Sequence, residues 1–189
     1  MNDSKQYGSS KLREKKEKKN EKKEEDVGHS KHNKSSKKEL EELKKMFDTK
    51  KFYLDRSTIK QAGYGVYSNY DIPAKKRVDE YLGEIIDDEE GAKRQDKAYF
   101  FRVMRKDGNS HILDALPHEH SNIMKFVNGV KTAQQRKRQN CEAYQRNNKI
   151  YFRTLRDVKA GEELFIDYGP TYWLKPEELE QLQLMIHDL

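Results

Sequence analysis

From Lys51 to about Gly169, apolar and polar residues alternate mostly with a period of two, and turn residues punctuate the runs. KFYLDRSTI, GYGVYSN, RVDEYLGEII, AYFFRVM, HILDAL, CEAYQ, KIYFRTL and EELFIDY each predict a strand, with AYFF placing Tyr99 on one of them. NNK, Asn147 to Lys149, predicts a hairpin turn. Between His118 and Asn140 the chain is polar; SNIMKFVNG predicts a helical turn and QQRKRQN a basic loop. In LFIDYG the alternation puts Leu164, Ile166 and Tyr168 on one side and Phe165 and Asp167 on the other. Apolar residues on both sides predict a strand covered on both faces, with Tyr168 emerging at its end.

Helical spacing appears at either flank. Ser36 and Glu39 have capping-box spacing, and Leu40, Leu43, Met46 and Phe47 follow at helical intervals, predicting an amphipathic helix that packs on the body. Pro176 stands where a first helical residue would, and Leu179, Leu182, Met185 and Ile186 mark one face of a C-terminal helix. The organisation expected is therefore a Lys/Glu-rich tail over 1–35, a helix over 36–50, a β-rich domain over 51–174 and a helix over 175–189.

Charge separates the tail from the body. Residues 1–50 hold 16 Lys/Arg against 11 Asp/Glu, leaving 23 against 22 for residues 51–189, so the net charge is +5 in the first part and +1 in the second. The tail, typified by KLREKKEKKNEKKEED, has too little apolar surface to offset its ordering entropy, which predicts disorder. It reads either as a solubilising tail or as one that enters the nucleus and touches nucleic acid weakly and without specificity. Cys141 is the only cysteine, so neither an internal disulfide nor a cysteine-rich zinc site is available and a reducing compartment is expected. No apolar run has the length of a membrane span, and MNDSKQYGSS lacks the core of a signal peptide.

Candidate chemistry lies in stretches whose order matters as much as their content. Gly63-Tyr64-Gly65 lets the backbone turn and approach a ligand. EYLGE (Glu80 to Glu84), Tyr99-Phe100-Phe101, Leu113-Asp114-Ala115, NIMKFVN (Asn122 to Asn128) and GEELFIDYG (Gly161 to Gly169) follow, with YGPTYW behind them. In this order, over roughly residues 52–173, the chain resembles the SET-domain family of protein-lysine methyltransferases. NIMKFVN and KIYFRTLRDV look like its PR-type branch; the small size and YGxxYW ending are similar to minimal SET proteins of large DNA viruses and algae. The family's usual Asn-His-Ser-Cys is here Asn128-Gly129-Val130-Lys131, its Arg before Phe126 is Lys125, and its trailing zinc cysteines are absent.

The resemblance implies a mostly β fold with a few short helices, small twisted sheets around a knot-like, threaded core. It implies S-adenosylmethionine as methyl donor, no metal, and a lysine of a histone tail or other protein as acceptor. Gly63, Tyr64, Gly65, Asn128, Gly129 and Tyr168 would hold the donor. Tyr168 and Tyr99 would be catalytic, the Tyr168 hydroxyl pointing at the methyl and the amine. Tyr99, Ile166, Tyr172 and Trp173 would line a dry substrate channel, Trp173 having a core plug as its other reading. Ile166, smaller than the Phe or Tyr found there in relatives, would leave room for di- or trimethylation. The C-terminal helix would serve as a lid or a homodimer contact. An inert PR-like interaction module is the alternative reading. The location implied is chromatin in the nucleus, or the host nucleus or virion for a viral protein. His118-Glu119-His120 and Arg136-Lys137-Arg138 read as solvated loop residues, and His111 and His187 as surface or helix-face histidines.

Overall fold

The computed structural model describes residues 37–174 and Glu178. The expected tail, the capping serine Ser36, His187 and the C-terminal helix apart from Glu178 lie outside the described residues. The chain divides into two units, 1–43 and 44–189. Of the first, only the opening turns of helix α1 (37–47) are described. The expected apolar face of α1 is narrower than its spacing suggested: Phe47 is buried, while Met46, one residue earlier and about 100° around the helix, is exposed.

The second unit is mostly β, in four small sheets. Strands β1 (Phe52–Arg56) and β2 (Tyr64–Ser68) form an antiparallel pair. Strands β3 (Arg77–Tyr81), β8 (Cys141–Arg146) and β9 (Lys149–Thr154) form one three-stranded sheet, ordered β3-β9-β8. Strands β4 (Glu84–Ile86), β5 (Phe100–Met104) and β6 (Ser110–Asp114) form another, ordered β4-β6-β5. β7 (Asn128–Gly129) and β10 (Phe165–Ile166) make a two-residue parallel pair. RVDEYLGEII, read as one strand, breaks at Leu82-Gly83 into β3 and β4, which belong to different sheets. Gly83 permits the break because a Cβ there would lie 2.8 Å from the Asp114 backbone. Asn147 and Asn148 both have positive φ, 50° and 59°, the conformation a two-residue hairpin turn demands.

Short helical elements fill the connections: α2 (Asp88–Lys93) and α3 (Ala133–Arg136), with 3-10 turns at Ile123–Phe126 and Thr171–Trp173. Thr132 caps α3 through a reciprocal capping box with Gln135, so part of the expected basic loop is a helical turn. The core joins the sheets through Phe52, Leu54, Val66, Met124, Phe152, Leu164 and Ile166, all essentially inaccessible to solvent. Phe165 and Ile166 face opposite ways and are both buried, so β10 is covered on both faces. One expectation fails here: His111 sits on β6 and is 6% exposed, neither a surface nor a helix-face histidine. The neighbouring strands supply enough apolar surface around it to enclose the ring.

The segment leading to Tyr168 is held by a side chain that imitates a strand. Asn140 is fully buried; its Oδ1 accepts from Phe165 N at 2.8 Å and its Nδ2 donates to Glu163 O at 2.7 Å. Its backbone N–H donates to Phe165 O at 3.3 Å. On another flank Leu164 N donates to Val66 O at 2.8 Å. Asn140→Leu would leave a buried N–H and C=O unmet, at about 1–3 kcal/mol each. A loss on the order of 2–5 kcal/mol in urea unfolding is expected, with Asn140→Asp intermediate; a wild-type midpoint would contradict the clamp. Burial also pushes the Cys141 thiol up to about 12. Iodoacetamide at mildly alkaline pH should therefore spare the native chain and label the unfolded one, a difference read by mass spectrometry.

Candidate active site

Two clusters of side chains meet at the end of β10. The first encloses a cavity of about 310 Å³ lined by Tyr81, Tyr99, Lys125, Ile166, Tyr168 and Tyr172, among others. Tyr81 closes β3, and its hydroxyl donates to Tyr99 O at 2.8 Å. That bond ties down the turn before β5, where Tyr99 stands one residue ahead of the strand it was expected to occupy. Phe101 packs on Tyr81 with ring centroids 4.6 Å apart. Tyr168 follows β10 and packs on Tyr172 at 4.4 Å. Its hydroxyl donates to Val127 O at 2.7 Å. The proton of this phenol is thus committed to the backbone, and what faces the cavity is the ring and the remainder of the oxygen.

Burial, and then the neighbouring phenols, push Tyr81 and Tyr168 far above the ordinary range for tyrosine; for Tyr168 the Gly129 backbone N–H works weakly the other way. Burial raises Tyr99 and Tyr172 as well. All four therefore remain neutral at physiological pH. Lys125, which replaces the expected arginine, is 6% exposed and donates to Leu116 O at 2.9 Å. Its ammonium lies 5.1 Å from the Tyr99 ring and 5.6 Å from that of Phe126. Burial lowers its pKa, partly offset by Asp114 and Glu119. Of the two cationic residues in the site wall, Lys125 is shielded by rings and Arg102 is paired with Asp88.

The second cluster joins the glycine turn to β7. Gly63 has φ +74°, with open space where a Cβ would be. Gly65 is needed for a different reason from ligand approach: a Cβ there would meet Glu163 Oε1 at 2.1 Å. The Glu163 carboxylate is buried and accepts from Ser57 Oγ at 2.6 Å, Thr58 N at 2.8 Å and Asn128 Nδ2 at 3.2 Å. Asn128 Nδ2 also donates to Tyr64 O at 2.8 Å. This carboxylate is tolerated without a paired cation because several donors surround it.

The structure brings Asn128, Gly129 and Tyr168 into one contiguous group and links them to Tyr64 through the Asn128 amide. Tyr99, Ile166, Tyr168 and Tyr172 share the cavity. Trp173 does not line it: the ring backs Tyr168 at 5.7 Å and 28°, with the Lys131 ammonium 5.3 Å above it. His118 packs its ring on Phe47 at 5.3 Å. Arg136 pairs with Asp167 at 2.6 Å, so the basic run is partly engaged.

Three important residues escaped the sequence reading. Tyr81 did so because the β3 register shifts between Arg77 and Glu80. Strict alternation would put Val78 and Tyr81 on opposite faces, yet both are buried. Its place in EYLGE was the available signal. Glu163 lay in GEELFIDYG, whereas nothing local marks Asn140.

The residues fit the expected sulfonium donor on observable grounds. Tyr168, Tyr172 and Trp173 offer electron-rich faces that attract cations. Trp173 Nε1 is a buried donor with no hydrogen-bond partner among the described residues. The open side of Gly63 adjoins the Tyr64–Asn128 bond.

Gly129 explains how this chain differs from the family's usual histidine. A Cβ there would lie 2.3 Å from the Tyr168 ring, so this tyrosine position requires glycine. Gly129→Ala should displace Tyr168 and alter the emission of Trp173, the sole tryptophan, with an overpacking cost of about 1–3 kcal/mol. Unchanged emission and stability would show that the ring does not rest there.

Residues 52–178 match the family model of the PR domain of PR domain zinc finger protein 2. The human histone-lysine N-methyltransferase EHMT1 is 34% identical over an alignment of 123 residues that covers 59% of this chain and 9% of that protein. The chain thus spans under a tenth of that curated relative's length. In fold it is similar to the methyltransferase domain of human PR domain-containing protein 2: TM-score 0.54, 22% identity, covering 65% of this chain and 80% of that one. It is also similar to ctPRC2 in an autoinhibited conformation bound to S-adenosylmethionine: TM-score 0.54, 25% identity, covering 75% and 17%. By its matched residues and its fold, the chain belongs to the PR/SET-domain family.

Proposed function

We propose that this chain is an S-adenosylmethionine-dependent protein-lysine N-methyltransferase whose acceptor is a lysine of a histone tail. One observation carries the reading: Tyr81, Tyr99, Tyr168 and Tyr172, drawn from three separated stretches, line a single cavity of about 310 Å³. Rings with polar tips suit a passage that must be dry along its walls and still orient an amine. EHMT1, a similar protein, is named as a histone-lysine N-methyltransferase, and ctPRC2 was solved with S-adenosylmethionine; both support the reading.

When bound, S-adenosylmethionine would supply an electrophilic methyl group on a sulfonium. Tyr168, Asn128, Gly129 and the Gly63–Gly65 turn are the residues that would hold it. The acceptor lysine must reach the cavity neutral, since its lone pair forms the new N–C bond. Burial among rings disfavours the ammonium, and the fixed charge of Lys125 on the cavity wall acts in the same direction. Among the described residues no carboxylate lines the cavity to serve as base, and the amine sheds its proton to solvent before it enters. Tyr168, anchored through Val127 O, presents an oxygen that keeps lone-pair capacity for a polarised methyl C–H. Such positioning of two reactants can supply up to roughly 7–11 kcal/mol of the barrier reduction.

Ile166 lies in the cavity wall, fully buried. Its modest bulk supports di- or trimethylation as the product, and a chromatin substrate supports work in the nucleus. The purified chain should transfer label from S-adenosylmethionine to histones, and Tyr168→Phe should lower turnover by about two orders of magnitude while the cofactor still binds. Ile166→Phe should shift the product toward monomethyl-lysine by mass spectrometry. Absence of transfer to any histone or tail peptide, together with no calorimetric cofactor binding, would sink the proposal and favour an inert interaction module. Transfer confined to a non-histone lysine would overturn the choice of substrate alone.

A further inference from the structure

A second, larger cleft of about 860 Å³ opens between the β5–β6 turn, the β8–β9 turn and the β3–β4 break. Its lining includes Leu82, Ile85, Arg105, Lys106, His111 and Leu113. Apart from Tyr81, whose side chain borders both spaces, it shares no lining residue with the tyrosine cavity. Two features of this cleft have no use in the proposed methyl transfer.

The first is His111. The Arg105 guanidinium, always a donor, gives its Nε–H to His111 Nδ1 at 3.3 Å. Nδ1 therefore carries the lone pair, and the ring proton resides on Nε2. That nitrogen is buried, and it has no hydrogen-bond partner among the described residues. The ring is kept neutral by burial and by the Arg105 charge, which both disfavour the imidazolium. A buried N–H without an acceptor, on a residue that lines the cleft, carries a desolvation cost that a ligand oxygen reaching it would remove.

The second is the pattern of charge and apolar surface around it. Lys149 is paired with Glu80 at 3.1 Å, and Asp107 accepts from Asn109 N at 3.0 Å within its own turn. Arg105 and Lys106 make no ion pair among the described residues, and Asp107 opposes them with a single negative charge. Three cations against two anions leave the cleft lining net positive by one. Alongside it Ile85 is 66% exposed and Leu82 42%, over a buried Leu113. Cations, one inward N–H donor and adjacent apolar side chains together complement a carboxylate carried next to aliphatic residues. A lysine-rich substrate tail would be repelled here.

We propose that this cleft docks an extended acidic and aliphatic segment of a partner protein, its carboxylate received by His111 Nε2–H and Arg105 and its aliphatic side chains laid on Leu82, Ile85 and Leu113. The probe is a capped leucine–glutamate–leucine–aspartate–leucine peptide added to the isotope-labelled full chain. The comparison peptide replaces both acids with their amides, and sodium acetate is a third arm. Binding should move the His111 side-chain N–H and the Ile85 and Leu113 methyl resonances in a saturable way, and the amide peptide should bind roughly tenfold more weakly. Lys106→Glu and Ile85→Ser, both at exposed positions, should each weaken the acidic peptide severalfold with the fold intact. Equal binding of the two peptides, full reproduction of the shifts by acetate, or shifts centred on Tyr99 and Tyr168 would overturn the proposal. So would the same shifts arising on concentration alone, which would make a second copy of the chain the occupant.

Discussion

A single buried carboxylate organises this molecule. Glu163 comes from the connection before β10, yet its donors come from Ser57 and Thr58 after β1 and from Asn128 in β7. Tyr67, from β2, sits 3.3 Å away, and the proximity of this charge adds to the burial that raises its pKa. An isolated ion would be costly at such a depth; one surrounded by donors is stable only while all of them stay in place. The carboxylate therefore couples residues more than 100 positions apart in sequence. Remove it and the glycine turn, β7 and the strand leading to Tyr168 lose their common anchor.

Asn140 complements this beside Glu163 on the same segment. Its side chain bonds Glu163 C=O and Phe165 N–H at the entry to β10, and Val130 N–H bonds Ile166 C=O at the exit, so a strand of two residues is satisfied at both ends. The Tyr168 segment therefore keeps its position with little ladder to hold it. Gly129 and Gly65 serve it too, each vacating space that a neighbouring functional side chain occupies: the Tyr168 ring in one case and the Glu163 carboxylate in the other.

The cavity and the cleft differ in how they expose their cations. Lys125, beneath the rings of the cavity, is screened by aromatic faces and a backbone carbonyl. Arg105 and Lys106, at the cleft, are open to solvent and to whatever binds there. Tyr81 borders both spaces, and its hydroxyl bond to Tyr99 connects one to the wall of the other. A segment seated in the cleft would consequently lie against the back of the same ring that lines the tyrosine cavity.

Strand existence was legible because period-two alternation follows from the pleat alone, and the Asn147-Asn148 turn because φ > 0 at both residues is a local demand. Family membership was legible from the order of short motifs. Local pattern did not single out Tyr81, since a register shift in β3 breaks the parity on which facing is read. It also misjudged His111, whose burial depends on strands distant in sequence. The sequence by itself determined which segments extend, turn and carry phenols. Only the tertiary structure decided that Glu163 and Asn140 hold the Tyr168 segment and that Gly129 seats its ring. The reason is physical: burial and hydrogen-bond satisfaction are properties of the assembled surroundings, and no single stretch of chain contains its own.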